Sequence, residues 1–175
     1  MSGHVLWFTG LSSSGKSTIS SQIKSICPAY ILLDGDIIRK GLCSDLGFSI
    51  EDRKENMRRL IEVCKIFVIN NLNVITAFIS PFDEYRRRAK EEIIKIGGKL
   101  FIIWCKCSLD ECMKRDPKGL YRKALRNEIK NFTGISSPYE PPRKPFMPAD
   151  LILDTEKDDV YTCVSKVIDF LERRG

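Results

Sequence analysis

The chain has a single histidine, His4, and none of its seven cysteines forms a Cys-x-x-Cys pair. That combination argues against a structural or catalytic zinc site, which needs clustered thiolates and imidazoles. The cysteines stand at 27, 43, 64, 105, 107, 112 and 163. Their odd number and mostly apolar neighbours suit small core residues better than a disulfide framework. No run of 18 apolar residues occurs, and Met1–Thr9 lacks the basic, apolar and small-residue zones of a secretory signal. A cytoplasmic protein without a membrane partner is expected. Also missing are internal repeats, low-complexity tracts and a long basic run. A net charge of +6, from 29 basic against 23 acidic residues, is a mild excess that a small polyanionic substrate explains as well as nucleic acid does. No nucleic-acid partner is expected.

What remains is an ordinary globular composition in a chain of 175 residues, read as one domain over 1–175. Strand and helix patterns alternate throughout, which predicts an α/β fold with a mostly parallel sheet and helices on both faces. Strands are expected at His4–Thr9, Ala29–Leu33, Asn73–Ile79, Lys99–Cys107 and Leu151–Asp154. Helices are expected over Gly15–Cys27, Glu51–Asn71, Asp83–Ile96, Ser108–Arg115 and from Val160 onward, the second opened by a capping box at Ser49–Asp52 and the third closed by Gly97-Gly98. Asp116–Asp150 fits neither a strand nor one regular helix. Pro138, Pro141, Pro142, Pro145 and Pro148, with basic and aromatic residues interleaved, mark it as a long functional loop, a lid over about 116–150.

The strongest local signal is Gly10-Leu11-Ser12-Ser13-Ser14-Gly15-Lys16-Ser17, which satisfies G-x-x-x-x-G-K-[ST] between an apolar strand and a helix. Backbone N–H groups at such a helix N-terminus surround an anion. On this reading Gly10, Ser12, Ser13, Ser14, Gly15 and Thr18 cradle ATP, Lys16 reaches the outer phosphates, and the Ser17 hydroxyl ligates Mg²⁺. No Asn-Lys-x-Asp segment is present, so a GTPase switch is disfavoured, and Asp116–Gly119 matches Asp-x-x-Gly only late in the chain, after a helix. A small-molecule kinase fits a short chain with a basic lid. Asp34-Gly35-Asp36 ends the second strand, near the crevice where doubly wound sheets bind ligands. Two carboxylates there suit the orientation of an attacking hydroxyl and of Mg²⁺, although an Asp-Gly turn fits the same letters.

Several segments together resemble the adenylyl-sulfate kinase family of P-loop kinases. They are Leu6–Leu11, Leu33–Asp36 with Arg39, Asp45–Ser49, Asp52–Asn56 with Arg58-Arg59, Thr76–Phe82, Arg115–Tyr121 and Glu128–Ile135. The likeness follows the family's order over nearly the whole chain. It implies the three-layer P-loop kinase fold with a lid, and transfer of the ATP γ-phosphate to the ribose 3′-hydroxyl of adenylyl sulfate. By the same resemblance Asp36 faces the acceptor hydroxyl, with Asp34 supporting it or Mg²⁺. Arg39, Arg53 and Asn56 hold the phosphosulfate and ribose, and Phe48 and Phe132 sandwich the acceptor adenine. Ile79 and Ser80 line the acceptor pocket, Asn131 belongs to the substrate-binding set, Lys118 meets charge near the transferring phosphate, and Arg115 stacks on the ATP adenine.

Local readings compete with some of these roles. Arg53 and Arg58 could form surface ion pairs with Glu55 and Glu62, and Phe48 could plug the core. Ser80 is a phosphoserine site in some descriptions of the family, but Ser80-Pro81-Phe82-Asp83 also reads as an N-cap serine with proline in the first turn, which is the preferred expectation. Lys114, Arg122 and Lys123 could neutralise phosphates or be solvated. Ser13 stands where the family often has Gly or Ala, and Phe146–Pro148 departs from an acidic motif. The resemblance further implies a homodimer and a functional link to ATP sulfurylase, although the sequence opens only a few residues before its first strand, where many relatives carry an extension used in dimerisation. The alternatives are a P-loop kinase for another metabolite or nucleotide, and a catalytically silent nucleotide-binding module.

Overall fold

The computed structural model describes residues 3–174. Five strands, β1 (His4–Thr9), β2 (Ile31–Asp34), β3 (Val74–Ala77), β4 (Lys99–Lys106) and β5 (Leu151–Asp154), form one sheet in the order β2-β3-β1-β4-β5. Every strand pair is parallel, so the connections must be crossovers. Helices supply them: α1 (Lys16–Ile26), α2 (Gly35–Lys40), α3 (Ile50–Ile69), α4 (Asp83–Lys95), α5 (Leu109–Arg115) and α6 (Leu120–Leu125), with α7 (Val160–Glu172) following the last strand.

Alternation along the strands sorts the core into two layers. Val5, Trp7, Val74, Leu100 and Ile102 point to one face and pack under α3 and α4 with Leu60, Ile61, Cys64, Ala89 and Ile93. Leu6, Phe8, Ile75, Ile103 and Cys105 point to the other, against Ile19, Ile23, Cys163, Val164 and Val167 of α1 and α7. Five of the seven cysteines are buried, as small core residues should be. A third cluster, of Leu11, Cys112, Tyr121, Ala124 and Phe132, joins α5 and α6 to the top of β1.

Local signals placed most elements within a residue or two. Ser49 Oγ accepts the Asp52 N–H at 3.0 Å, Ser108 Oγ accepts that of Glu111 at 3.2 Å, and Gly97 follows α4 at φ 78°. β2 begins at Ile31 rather than Ala29. β3 ends at Ala77 rather than Ile79, because the Ile79 carbonyl leaves the ladder to accept the Gly10 N–H at 3.3 Å and the Thr9 hydroxyl at 2.7 Å.

Two corrections concern function. Ser80 is not the cap of α4: the cap position is Phe82, and Ser80 sits at φ 44° with its oxygen accepting the Trp7 indole N–H at 3.1 Å. The Glu140 carboxylate takes over the capping, accepting the Asp83 N–H at 2.7 Å. Arg53 is buried rather than surface-paired, whereas Arg58 does pair with Glu55 at 2.7 Å.

The 116–150 segment has two parts. Residues 139–150 are fastened to α4: Glu140 N–H donates to the Pro81 carbonyl at 2.8 Å, Met147 N–H to Asp83 at 2.8 Å, and Lys90 pairs with Asp150 at 3.0 Å. Residues 118–133, which include α6, border the cleft above the sheet.

Candidate active site

The cleft lies where β1, β2 and β3 end, and encloses about 390 Å³, within the range of small-ligand sites. One wall is the loop between β1 and α1. Its first glycine is required by contact: a Cβ at Gly10 would stand 2.6 Å from Ser14 Oγ and 2.7 Å from the Cys105 carbonyl oxygen. Ser13 adopts φ 61°, a left-handed conformation that costs a non-glycine residue about 1 kcal/mol or more. Neighbours hold the loop in this shape. The Thr155 hydroxyl donates to the Ser14 carbonyl at 3.0 Å and the Tyr121 hydroxyl to the Ser12 carbonyl at 3.1 Å. Gly15, at φ 89°, leads into α1.

Lys16 is buried at the loop's centre, its Nζ donating to the Gly10 carbonyl at 3.0 Å and the Leu11 carbonyl at 2.5 Å. Burial pushes its ammonium down to about 8. The sign of the pH effect follows. Below about pH 8 the group is charged; above it, an anion that needs the ammonium would have to bring a proton to Lys16. ATP affinity measured calorimetrically should therefore be flat up to about pH 8 and weaken between there and about pH 9. Affinity that is constant or rising over that interval would contradict the assignment.

Ser17 Oγ donates to Asp34 Oδ2 at 2.7 Å, while Asp34 Oδ1 accepts the Asp36 N–H at 2.9 Å. Asp34 thus joins the phosphate loop to α2 and starts that short helix as its cap. Asp36, one residue into α2, is exposed in the cleft and forms an ion pair with Lys118 from the far wall.

The wall opposite the loop is built from α2, α3, the turn after β3 and the 118–133 strap. Arg39 lies 4.4 Å over the Phe48 ring and donates to the Gly47 carbonyl at 3.0 Å. Phe48 is half exposed, so it is not a core plug. Arg53 uses all three guanidinium nitrogens on protein: Nε donates to the Phe48 carbonyl at 3.0 Å, Nη1 to Thr133 Oγ1 at 2.7 Å, and Nη2 to the Asn131 carbonyl. It ties the Phe48 loop to the strap carrying Phe132. Phe132 is buried edge-on against Tyr121, with ring centres 4.9 Å apart. Asn56 is 1% exposed, and its Nδ2 has no partner among the described residues although it borders the cleft. That amide is a donor waiting for an acceptor.

Of the site residues expected from sequence, Ser12, Ser13, Lys16, Ser17, Asp34, Asp36, Arg39, Phe48, Arg53, Asn56, Ile79, Ser80, Lys118, Asn131 and Phe132 all line this one cleft. Gly10, Ser14 and Gly15 shape the loop behind it. Thr18 is exposed on α1, outside the cleft lining, and Arg115 lies beyond it, its guanidinium donating to Glu111 at 2.9 Å and to the Thr155 carbonyl at 2.6 Å. Thr133, Tyr121, Thr155 and Glu140 escaped the sequence reading, because each acts through a partner more than 50 residues away.

A profile of the family described as adenylylsulphate kinase matches residues 2–150. The chain belongs to that family. Adenylyl-sulfate kinase of Acaryochloris marina is 49% identical over 98% of this chain and 82% of its own length; that of Clostridium acetobutylicum is 50% identical over 98% and 84%. Among solved structures, the APS kinase CysC of Mycobacterium tuberculosis, in complex with AMPPNP and APS, superposes with a TM-score of 0.91 at 41% identity, covering 98% of both chains. A gluconokinase from Sinorhizobium meliloti, at 17% identity and a TM-score of 0.66, shares the fold alone. Family membership makes the chain an ATP-dependent kinase with a nucleotide-binding loop.

Proposed function

We propose that this adenylyl-sulfate kinase family member transfers the γ-phosphoryl group of ATP to the 3′-hydroxyl of adenylyl sulfate, giving 3′-phosphoadenylyl sulfate and ADP. The observation that carries the reading is the opposition, within one cleft, of the Lys16 loop and the Asp36 carboxylate, with Phe48, Phe132, Arg39 and Asn56 around the second. ATP would lie with its phosphates on the loop and its adenine toward Arg115. The acceptor base would stack on Phe48 and Phe132, and its charged linkage would face Arg39, with Asn56 supplying its free N–H to the same ligand. Asp36 would accept the hydroxyl proton, and Lys118, its ion-pair partner, would follow the charge to the transferring phosphoryl group. Arg53 serves this arrangement by holding the Phe48 loop and the strap together.

The residues present fit Mg²⁺. The Ser17 hydroxyl and Asp34 carboxylate are 2.7 Å apart, an all-oxygen donor pair, and no group of three or more His, Cys, Asp or Glu among the described residues could form an all-protein cage. Mg²⁺ suits one or two protein oxygens completed by phosphates and water. Bound there, it would neutralise charge on the outer phosphates. Closure of the 118–133 part of the strap would exclude water, while residues 139–150 stay fixed to α4. Among the described residues no helix is long and apolar enough to cross a membrane. We further infer a cytoplasmic, single-domain enzyme that pairs as a homodimer, with a functional link to ATP sulfurylase.

Ser80 need not be a covalent carrier in this scheme. The residue is 1% exposed and its hydroxyl oxygen accepts the Trp7 indole N–H, so it is poorly placed as a nucleophile. Ser80→Ala should lower turnover only about fivefold, the effect of losing one buried hydrogen bond worth about 1 kcal/mol. Activity abolished by that substitution, together with phosphoserine detected by mass spectrometry after incubation with ATP, would favour the covalent route. The reading as a whole is tested by incubating the protein with ATP, Mg²⁺ and adenylyl sulfate and following 3′-phosphoadenylyl sulfate by chromatography. Turnover is expected there, with little on gluconate, shikimate or plain nucleosides; the reverse preference would overturn it.

A further inference from the structure

Arg86 stands in the run Arg86-Arg87-Arg88, which reads as a solvated helix face, yet its side chain is 0% exposed. Compensation for burying that charge is meagre. Nη1 donates to the Ser80 carbonyl at 2.8 Å, and the paired carboxylate, Asp83, is 3.6 Å away and already accepts the Met147 N–H. Nε and Nη2 make no hydrogen bond among the described residues, and Nη2 has only the 3.6 Å approach of Asp83. An apolar side chain of similar volume would often be more stable in such a place, so the charge calls for an explanation beyond folding.

The one strong contact it makes points to that explanation. Ser80, at φ 44°, is in a conformation that a non-glycine residue keeps only when its surroundings over-determine it. Its carbonyl receives Arg86 and, at 3.3 Å, the Thr9 hydroxyl; its own hydroxyl oxygen receives Trp7. The preceding carbonyl, Ile79, receives Thr9 and the Gly10 N–H. The 79–81 turn is therefore fixed on one side to the first glycine of the phosphate loop and on the other to a buried cation. It also forms part of the wall of the acceptor cleft.

We propose that Arg86 is a positioning residue for phosphoryl transfer: by holding Ser80 in its left-handed conformation it sets the acceptor-side wall at a fixed distance from the phosphate loop. A charged donor is suited to this, since a charge-assisted hydrogen bond is about twice as strong as a neutral one. The inference rests on the proposed acceptor reading and adds a residue that touches neither substrate.

The test compares the full chain with its Arg86→Gln and Arg86→Lys variants in steady-state assays, with folding checked by thermal melts. Arg86→Gln should raise KM for adenylyl sulfate about tenfold while leaving KM for ATP within about twofold, a split that general loosening of the fold would not give. Arg86→Lys, which restores one charged donor, should bring the acceptor KM back to within about threefold of wild type. Both KM values rising together, or an unchanged acceptor KM in folded Arg86→Gln, would overturn the inference. Should Arg86→Gln fail to fold, Arg86→Met, which fills the same buried space without a donor, takes its place with the same expected split, and an unchanged acceptor KM in it counts against the inference. Wild-type protein that phosphorylates no adenylyl sulfate would overturn the acceptor reading instead. The inference about Arg86 is then judged by Trp7 emission in a Trp104→Phe background, which Arg86→Gln should shift to longer wavelength and which an unchanged spectrum would contradict.

Discussion

Replacing Asp36 with asparagine should lower turnover of adenylyl sulfate by about 10²–10⁴-fold, the contribution of a positioned general base, while ATP binding changes little. Asparagine keeps the size of the side chain and its place one residue into α2, so the loss isolates the carboxylate. The structure makes this separation sharp. Asp34, not Asp36, bonds the phosphate-loop Ser17, and the Asp36 carboxylate makes its ion pair with Lys118 on the opposite wall. Asp36→Asn also frees Lys118, which adds to the effect on turnover without touching the ATP cradle. Equal losses of ATP affinity and turnover would show that Asp36 belongs to the nucleotide side. Turnover within a few-fold of wild type would remove it from the chemistry.

The second large effect is expected at Lys16. Lys16→Met preserves an unbranched apolar stem in a buried setting but removes the cation aimed at the outer phosphates. Loss of one preorganised electrostatic contact to a transferring group costs about 10²–10³-fold in kcat. Here the loss should appear in ATP affinity as well, since the same ammonium meets the ground-state phosphates. Stability should move the other way: a buried ammonium held to about 8 is destabilised by its surroundings, so the apolar replacement should melt no lower than wild type. Melting temperatures and isothermal titration with ATP read the two effects separately. A Lys16→Met protein that binds ATP normally would contradict the loop's assigned role.

Both effects fall on residues that could be read from sequence, and the reason is physical. A loop that wraps phosphate must combine close-approach glycines, a lysine and a hydroxyl at fixed spacing next to a strand, so Gly10–Ser17 was visible as text. The alternation of Val5 and Trp7 against Leu6 and Phe8 likewise sorts into two faces because strand geometry has a period of two. What could not be read are the residues whose partners are distant in sequence. Ser80-Pro81-Phe82-Asp83 carries the letters of a helix start, yet Trp7 claims the serine oxygen and Glu140 caps the helix instead. Arg53 sits two positions from Glu55, but its bonds reach Asn131 and Thr133. Arg86 is indistinguishable from Arg87 and Arg88 in a linear charge pattern; only in the folded chain is it buried, with Nη1 on the Ser80 carbonyl. The short helices α2 and α6, six residues each, are too brief to display a periodic stripe. Asp34 as the N-cap of α2 was the one local sign of the first, and the Asp-Gly pair masked it as a turn.

The most direct measurement is a crystal structure of the complex with Mg²⁺, a non-hydrolysable ATP analogue and adenylyl sulfate. The account predicts the analogue's phosphates on the amide groups of Gly10–Ser17, and the acceptor 3′-hydroxyl within hydrogen-bonding reach of Asp36, its adenine between Phe48 and Phe132. An acceptor seated with its hydroxyl away from Asp36, or phosphates held anywhere but on that loop, would contradict it.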